Sequence, residues 1–225
     1  MRPIQWLLNT DHFNRNDSRQ FGYLLGLMFL WLVLLAAGDV FQFRGRMMSA
    51  AFAVIAVQAL LITARSGRER VVFALFGIYL FLEPLFVFPG YFEVISAGIL
   101  TLFLFFIPLR LSVYVLEQDR VDANTVFGAL CAYLFLGLSW AVIYEVMTYI
   151  SPESIYTPTE REPDFVTWVY FSFTTLSTLG YGDIVPRSYP ARMLAILEAL
   201  IGQIYLVVVV ARLVGTALTK KELGK

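Results

Sequence analysis

The sequence predicts an all-α polytopic membrane protein, and three observations carry that reading. Of 225 residues, 59% are hydrophobic and only 15% charged, a balance that a soluble domain of this length rarely shows. The apolar residues gather into six runs, at about 21–41, 47–64, 71–89, 93–110, 125–150 and 190–216, each long enough to span a bilayer as a helix. A seventh apolar run, 165–177, is too short to cross and is followed by "STLGYGD", where two glycines flank a tyrosine.

Residues 1–20 form a polar segment with Arg, Asp and Asn where a signal peptide would be apolar, so no cleaved leader is expected. The Asn16 sequon falls in this segment. Four crossings follow within 21–115. Between the last two crossings the 165–177 run reads as a re-entrant helix that dips into the membrane and returns. Pro163-Asp164 is its start signal. Glu83 with Pro84, and Pro108, mark kinks or helix ends. There is no internal repeat or low-complexity tract, and no cytosolic regulatory domain is expected after Lys225.

Lys and Arg set the orientation. With the N-terminus in the cytoplasm, Arg2, Arg15, Arg19, Arg65, Arg68, Arg70, Arg110, Arg120, Arg212, Lys220, Lys221 and Lys225 lie inside. Arg44, Arg46, Arg161, Arg187 and Arg192 lie outside, so both termini are cytoplasmic and the 151–189 loop faces out. That loop carries Glu153, Glu160, Glu162, Asp164 and Asp183 against Arg161 and Arg187, a net-negative mouth that concentrates cations.

Several functions are set aside at this stage. A formal net charge of zero argues against nucleic-acid binding. His12 and Cys131 are the only His and Cys, lie far apart, and make neither a metal site nor a nucleophile–base pair, so an enzyme and a resident cofactor are not expected. A transporter would show repeated, paired broken helices, and none is visible.

A helix ending inside the membrane leaves backbone groups without water, which is tolerated only where protein buries them or a wet cavity receives them. Its C-terminal end is the negative end of the macrodipole and favours a cation. Glycines at alternate positions allow left-handed backbone, which can turn a chain or point successive carbonyls the same way. With this context, "TLSTLGYGD" resembles the selectivity-filter signature of tetrameric potassium channels, whose commonest form reads Thr-Val-Gly-Tyr-Gly-Asp. The resemblance covers about 120–218, which looks like a pore domain: outer helix 125–150, pore helix 164–177, filter 178–183, inner helix 190–216, then a tail at 219–225. Pro186 and Gly202 fall where many members have a proline and a hinge glycine. "EALIGQIYLVVVVARLV" is similar to the inner helix of bacterial six-transmembrane channels.

The resemblance implies that the carbonyls of Thr178, Leu179, Gly180 and Tyr181 and the Thr178 hydroxyl replace the hydration shell of K⁺. Gly180 and Gly182 would supply the unusual backbone. K⁺ is the permeant ion, and one filter segment per chain implies a homotetramer in the plasma or bacterial inner membrane. Leu179 stands for the usual Val and Ser177 for the usual Thr. Thr174 sits where some bacterial channels place a Glu, and Tyr170 where a Trp often donates to the filter aspartate, so the Tyr170 hydroxyl is expected to serve Asp183. Glu145, near the outer end of the fifth helix, is expected to support backbone around the filter. Glu198 either pairs with Arg192 or pore-helix groups, or faces the ion path. Gln203 is the better cavity-lining residue, since the two lie about 140° apart on a helix. Leu206, Val210 and Leu213 or Val214 follow it as a dewetting gate or as packing. The fourth helix holds only Arg110 near the membrane, too little charge for steep voltage gating. The resulting expectation is a K⁺-selective channel without an arginine-rich voltage sensor; the alternatives are a weakly selective cation channel or a non-conducting channel-like subunit.

Overall fold

The computed structural model describes residues 19–41, 46–64, 66–82, 91–118, 121–158 and 163–223. The expectations for His12, Asn16, Arg2, Arg15, Arg44, Arg65, Glu83, Pro84, Arg120, Glu160, Arg161, Glu162 and Lys225 lie outside the described residues.

Seven α-helices make up nearly all of the described residues: α1 (Gln20–Phe41), α2 (Arg46–Thr63), α3 (Gly67–Leu82), α4 (Tyr91–Glu117), α5 (Ala123–Ile150), α6 (Phe165–Leu176) and α7 (Tyr189–Leu223). Two of them, Ala123–Ile150 and Tyr189–Thr216, are long and apolar enough among the described residues to cross a membrane. At 28 residues each they are about 42 Å long, more than the ~30 Å hydrocarbon core requires. A strand of this composition would leave its ladder partners to be found elsewhere, whereas a helix satisfies its own backbone, and that settles the secondary structure in lipid.

Polar side chains fix where several helices begin. Asp122 Oδ1 accepts from the Thr125 N–H at 2.8 Å and from its hydroxyl at 2.7 Å, capping α5. Asp164 caps α6 in the same way through Thr167, at 3.1 Å from both donors. Ser188 Oγ accepts from Ala191 N–H at 3.2 Å ahead of α7, with Pro190 in the first turn, where a missing N–H costs nothing. Ser66 Oγ accepts from Glu69 N–H at 3.2 Å ahead of α3.

Such caps explain where hydropathy misplaces an end. The third crossing was expected from residue 71, yet α3 starts at Gly67, because the Ser66 cap begins the helix inside the charged Arg68–Arg70 stretch. The fourth was expected to end at 110. Instead α4 runs to Glu117 with Pro108 inside it, so that proline does not end the helix. The inner helix continues past 216 to Leu223.

The chain divides into two compact units. One comprises residues 1–87, 107–132 and 213–225, the other 88–106 and 133–212. In the first, α1 packs on α2 and α2 on α3. Phe21 starts the packing: its N–H donates to Asn124 Oδ1 at 3.1 Å, its carbonyl accepts from Cys131 Sγ at 3.7 Å, and its ring lies 5.0 Å from that of Tyr114. Cys131 is thus a buried packing residue. Arg110 is also buried here and pairs with Glu69 at 3.1 Å. The second unit holds the candidate site.

Candidate functional site

A two-residue hairpin frames the site. β1 (Ile155–Tyr156) pairs antiparallel with β2 (Val185–Pro186), Ile155 opposite Pro186 and Tyr156 opposite Val185. Beyond it, Arg187 and Ser188 N–H groups donate to the Ser154 carbonyl at 2.8 and 3.1 Å, and the Arg187 guanidinium lies 4.5 Å over the Tyr156 ring. The two ends of the segment that carries α6 are therefore pinned together. Sequence reasoning missed this sheet. Its only signal was the β-formers Ile155, Tyr156 and Val185, and two-residue strands are too short for periodicity to register.

Within that frame α6 buries Trp168, Val169, Phe171, Ser172 and Leu176. Its C-terminus carries the next step, because the last four carbonyls of a helix have no intrahelical partner. Here each finds one. Phe173 O accepts from Ser177 N–H at 3.1 Å and from Ser177 Oγ at 2.6 Å. Thr174 O accepts from Gly180 N–H at 3.0 Å, and Thr175 O from Thr178 N–H at 2.9 Å. Leu176 O accepts from the Tyr133 hydroxyl at 3.3 Å. The bond to Gly180 folds the following strand back onto the helix end.

That strand has an unusual backbone. Thr178, Gly180 and Gly182 have φ of 58°, 54° and 81°, and no other described residue has positive φ. The sign of φ thus alternates over five residues. An extended strand points successive carbonyls to opposite sides; reversing the handedness of every second residue turns them toward the same side. Glycine accepts this conformation freely. Thr178 does not, because a β-branched residue at positive φ is strained. Sequence reasoning assigned the unusual backbone to the glycines and missed Thr178. The helix end supplies its reason: Thr178 directly follows the Ser177 cap and donates to Thr175 O, the left-handed closure common at helix C-termini. Residues 178–183 are all exposed in the single chain.

Asp183 closes the stretch. Its Oδ2 accepts from the Tyr170 hydroxyl at 2.8 Å, the contact anticipated from sequence. That bond, with help from the Ile184 N–H, holds the Asp183 carboxyl below its usual range. The Tyr170 and Tyr181 rings lie nearly parallel, with centroids 6.2 Å apart, so α6, the strand and the aspartate are joined through one aromatic pair. Thr174 makes no bond to Asp183; its hydroxyl donates to Phe171 O at 3.0 Å. Glu145 is exposed on α5, and its carbonyl accepts from Thr148 Oγ1 at 3.0 Å.

α7 runs behind and below. Gly202 is buried where α7 packs tightly on α6: a Cβ there would lie 2.5 Å from the Leu176 carbonyl oxygen and 2.8 Å from Leu176 Cδ1. The helix passes through Gly202 without interruption. Gln203 Nε2 reaches Thr178 Oγ1 at 3.4 Å, bringing its amide to the inner end of the strand. Leu206 and Val210 are exposed on the same helix. Glu198, which the sequence left between a pore-facing and a packed position, is fully buried. It bonds Tyr144 Oη at 2.6 Å and Ser172 Oγ at 2.5 Å. Arg192 is not its partner; its Nε donates to the Pro186 carbonyl at 3.3 Å.

The chemistry available is coordination by fixed dipoles. The backbone carbonyls of 178–181 and the Thr178 hydroxyl sit on an irregular segment after the negative end of a helix, with Thr178 held at positive φ. Among the described residues no His, Cys, Asp and Glu cluster could hold a metal ion in the usual way.

The resemblances to known proteins fall on the same part of the chain. A model of an ion channel family matches residues 128–220, which span α5, α6, the strand and α7. Over 109 residues the chain is 31% identical to two-pore potassium channel 4 of Arabidopsis thaliana, covering 47% of this chain and 38% of that protein. Two-pore potassium channel 3 of the same plant is 28% identical over 106 residues, 47% of this chain and 22% of the relative. The chain therefore spans well under half the length of these plant relatives. Protein LctB of Bacillus caldotenax is 30% identical over 109 residues, 46% of this chain and 80% of LctB. No solved structure matches at a comparable level. The chain belongs to the potassium-channel family of ion channels.

Proposed function

We propose that the protein is a K⁺-selective channel in which four identical chains surround one central path. Thr178, Leu179, Gly180, Tyr181 and Gly182 of each chain line its filter. The observation that carries this reading is the alternation of φ over Thr178, Gly180 and Gly182 directly after the C-terminus of α6. K⁺ exchanges its water shell for carbonyls only where several oxygens converge at fixed spacing. One chain provides one wall of such a ring, so four copies are needed. The exposed Leu179 and Tyr181, and the run of exposed aliphatics on α7 from Ile196 to Val214, are surface that neighbouring copies or lipid would cover.

In the same reading α1 to α4 are four peripheral crossings and both termini are cytoplasmic, in the plasma or bacterial inner membrane. Gln203 lines the cavity below the filter, Leu206 and Val210 line the path further in, and Tyr170, Thr174, Ser177, Asp183 and Glu145 support the filter. Arg110, tied to Glu69 at 3.1 Å, is no mobile gating charge, so opening does not depend on arginines moving through the field.

The test is ion flux through the purified protein in liposomes. Uptake driven by a K⁺ gradient, absent with Na⁺ and blocked by Ba²⁺, is the expected result. Equal K⁺ and Na⁺ flux would replace this reading with a weakly selective cation channel.

A further inference from the structure

Glu198 is fully buried on α7, and the filter reading gives it no task. Three short oxygen–oxygen contacts meet around it: Tyr144 Oη to Glu198 Oε2 at 2.6 Å, Glu198 Oε1 to Ser172 Oγ at 2.5 Å, and Ser172 Oγ to Gly137 O at 2.7 Å. Together they link α5, α6 and α7 in one chain of bonds. Each contact needs a hydrogen between its oxygens, because two lone pairs facing each other at such distances repel. The hydrogens can be counted. Tyr144 brings one and Ser172 brings one; the Gly137 carbonyl brings none. An ionised Glu198 brings none either, which leaves two hydrogens for three contacts. Directing the Ser172 hydrogen to the carboxylate would strand the Gly137 carbonyl against a bare hydroxyl oxygen. Directing it to Gly137 would strand the carboxylate. Only a protonated Glu198 completes the set: Tyr144 to Glu198, Glu198 to Ser172, Ser172 to Gly137.

The surroundings agree with a neutral group. The polar and titratable groups facing Glu198 are Tyr144 and Tyr133 from α5 and Ser172 from α6. On its own helix Arg192 is exposed and bonded to the Pro186 carbonyl. Among the described residues no cation is bonded to Glu198, and an uncompensated buried carboxylate is strongly disfavoured.

We propose that Glu198 is held as the neutral carboxylic acid and acts as a positioning residue, its proton completing the hydrogen-bond chain that fixes α6 between α5 and α7. Ser172 precedes Leu176 by one helical turn, as Glu198 precedes Gly202. α7 therefore grips α6 at two successive turns, once through this proton and once by the close approach at Gly202. The second grip ends two residues before Thr178. The link to conduction rests on the filter reading above; the protonation does not.

Infrared spectroscopy of the full chain in liposomes at neutral pH tests the first half. The carbonyl stretch of a protonated carboxylic acid should be present, vanish in Glu198→Gln, and move in Tyr144→Phe, which removes the bond to Oε2. Loss of carboxylate bands alone in Glu198→Gln overturns the proposal. The second half is read as the K⁺/Na⁺ flux ratio. Glutamine reproduces the acid's donor and acceptor, so Glu198→Gln should keep the wild-type ratio. Glu198→Leu, which breaks two buried bonds, should lower it about tenfold. Tyr144→Phe breaks a single bond and serves if the leucine chain does not assemble; it should lower the ratio severalfold. An unchanged ratio in a chain that lacks these bonds overturns the positioning role. A wild-type protein with no K⁺ preference would refute the filter reading while leaving the infrared result to judge the proton.

Discussion

Replacing Gly202 with alanine separates two explanations of that glycine. In a helix interior the change ordinarily stabilises by about 1 kcal/mol, because glycine has more backbone freedom to lose on folding. Here the added methyl would sit 2.5 Å from the Leu176 carbonyl oxygen and 2.8 Å from Leu176 Cδ1. The side-chain carbon can rotate away; the carbonyl cannot. It belongs to the last turn of α6 and accepts from the Tyr133 hydroxyl at 3.3 Å. Relief requires α6 and α7 to separate by several tenths of an ångström, and overpacking of this kind costs about 1–3 kcal/mol. Subtracting the helix-propensity gain leaves a net loss of about 0–2 kcal/mol, with the strain delivered two residues before Thr178. The assay is thermal denaturation of the purified protein together with the K⁺/Na⁺ flux ratio in liposomes. Both should fall. Gly215→Ala is the control on the same helix, because a Cβ there meets nothing within 4 Å; it should raise the melting temperature by the helix-propensity gain and leave the flux ratio unchanged. If Gly202 acts only as a hinge, alanine would alter opening, raise stability as the change at Gly215 does, and leave the flux ratio at its wild-type value. That result would refute the close-approach reasoning.

Further outcomes follow from the filter and its supports. Gly180→Ala forces a Cβ onto a residue at φ 54°, costing about 1–2 kcal/mol per chain; K⁺ flux should be lost while the far-UV helix signal stays. Tyr170→Phe removes the bond that holds the Asp183 carboxyl below its usual range. A depressed carboxyl stabilises the fold above its ordinary value, near pH ~3.9 for aspartate, and loses that contribution as pH falls through the folded one. The acid limb of K⁺ flux should therefore move to higher pH in the phenylalanine variant; an unmoved limb would mean the bond does not hold the mouth. Arg110→Gln leaves Glu69 without its buried partner and should cost about 1–3 kcal/mol in a denaturation assay. It should leave the dependence of open probability on voltage flat across about 100 mV, whereas an effective gating charge of several units would refute the proposed reading without arginine-driven gating.

What the sequence disclosed and what it concealed follow a physical division. The 178–183 stretch was legible because alternate glycines declare a backbone that few residues adopt, and the family resemblance placed Tyr170 where a donor to the aspartate is expected. The start of α6 was legible because its constraint is local, since Asp164 and Thr167 lie within one turn. Helix ends set by polar groups inside charged stretches, at Ser66 and beyond Arg110, were not, because hydropathy registers only the apolar part of a helix. Thr178 escaped notice because threonine carries no signal for positive φ; the strain is imposed by the helix end before it. The β1–β2 pairing joins residues about thirty apart through two-residue strands, too short to leave a pattern.

Glu198 shows the same division at its limit. On the sequence it is one acidic residue in an apolar run, and its helical position alone allowed it to face ions or to face packing. Its meaning depends on Gly137, Tyr144 and Ser172 arriving at one point from two other helices. None of the three is unusual where it stands: a glycine in a crossing helix, a tyrosine near its outer end, a serine on the buried face of α6. Only their distances turn a residue type associated with charge into one that must carry a proton. A filter made of backbone dipoles takes its geometry from the helix that precedes it and from the few side chains that brace it, Tyr170 and Asp183 among them. In the proposed filter the buried acid and Gly202 both act on that helix, so the proposal rests selectivity mechanically on α6 rather than on the six-residue signature alone.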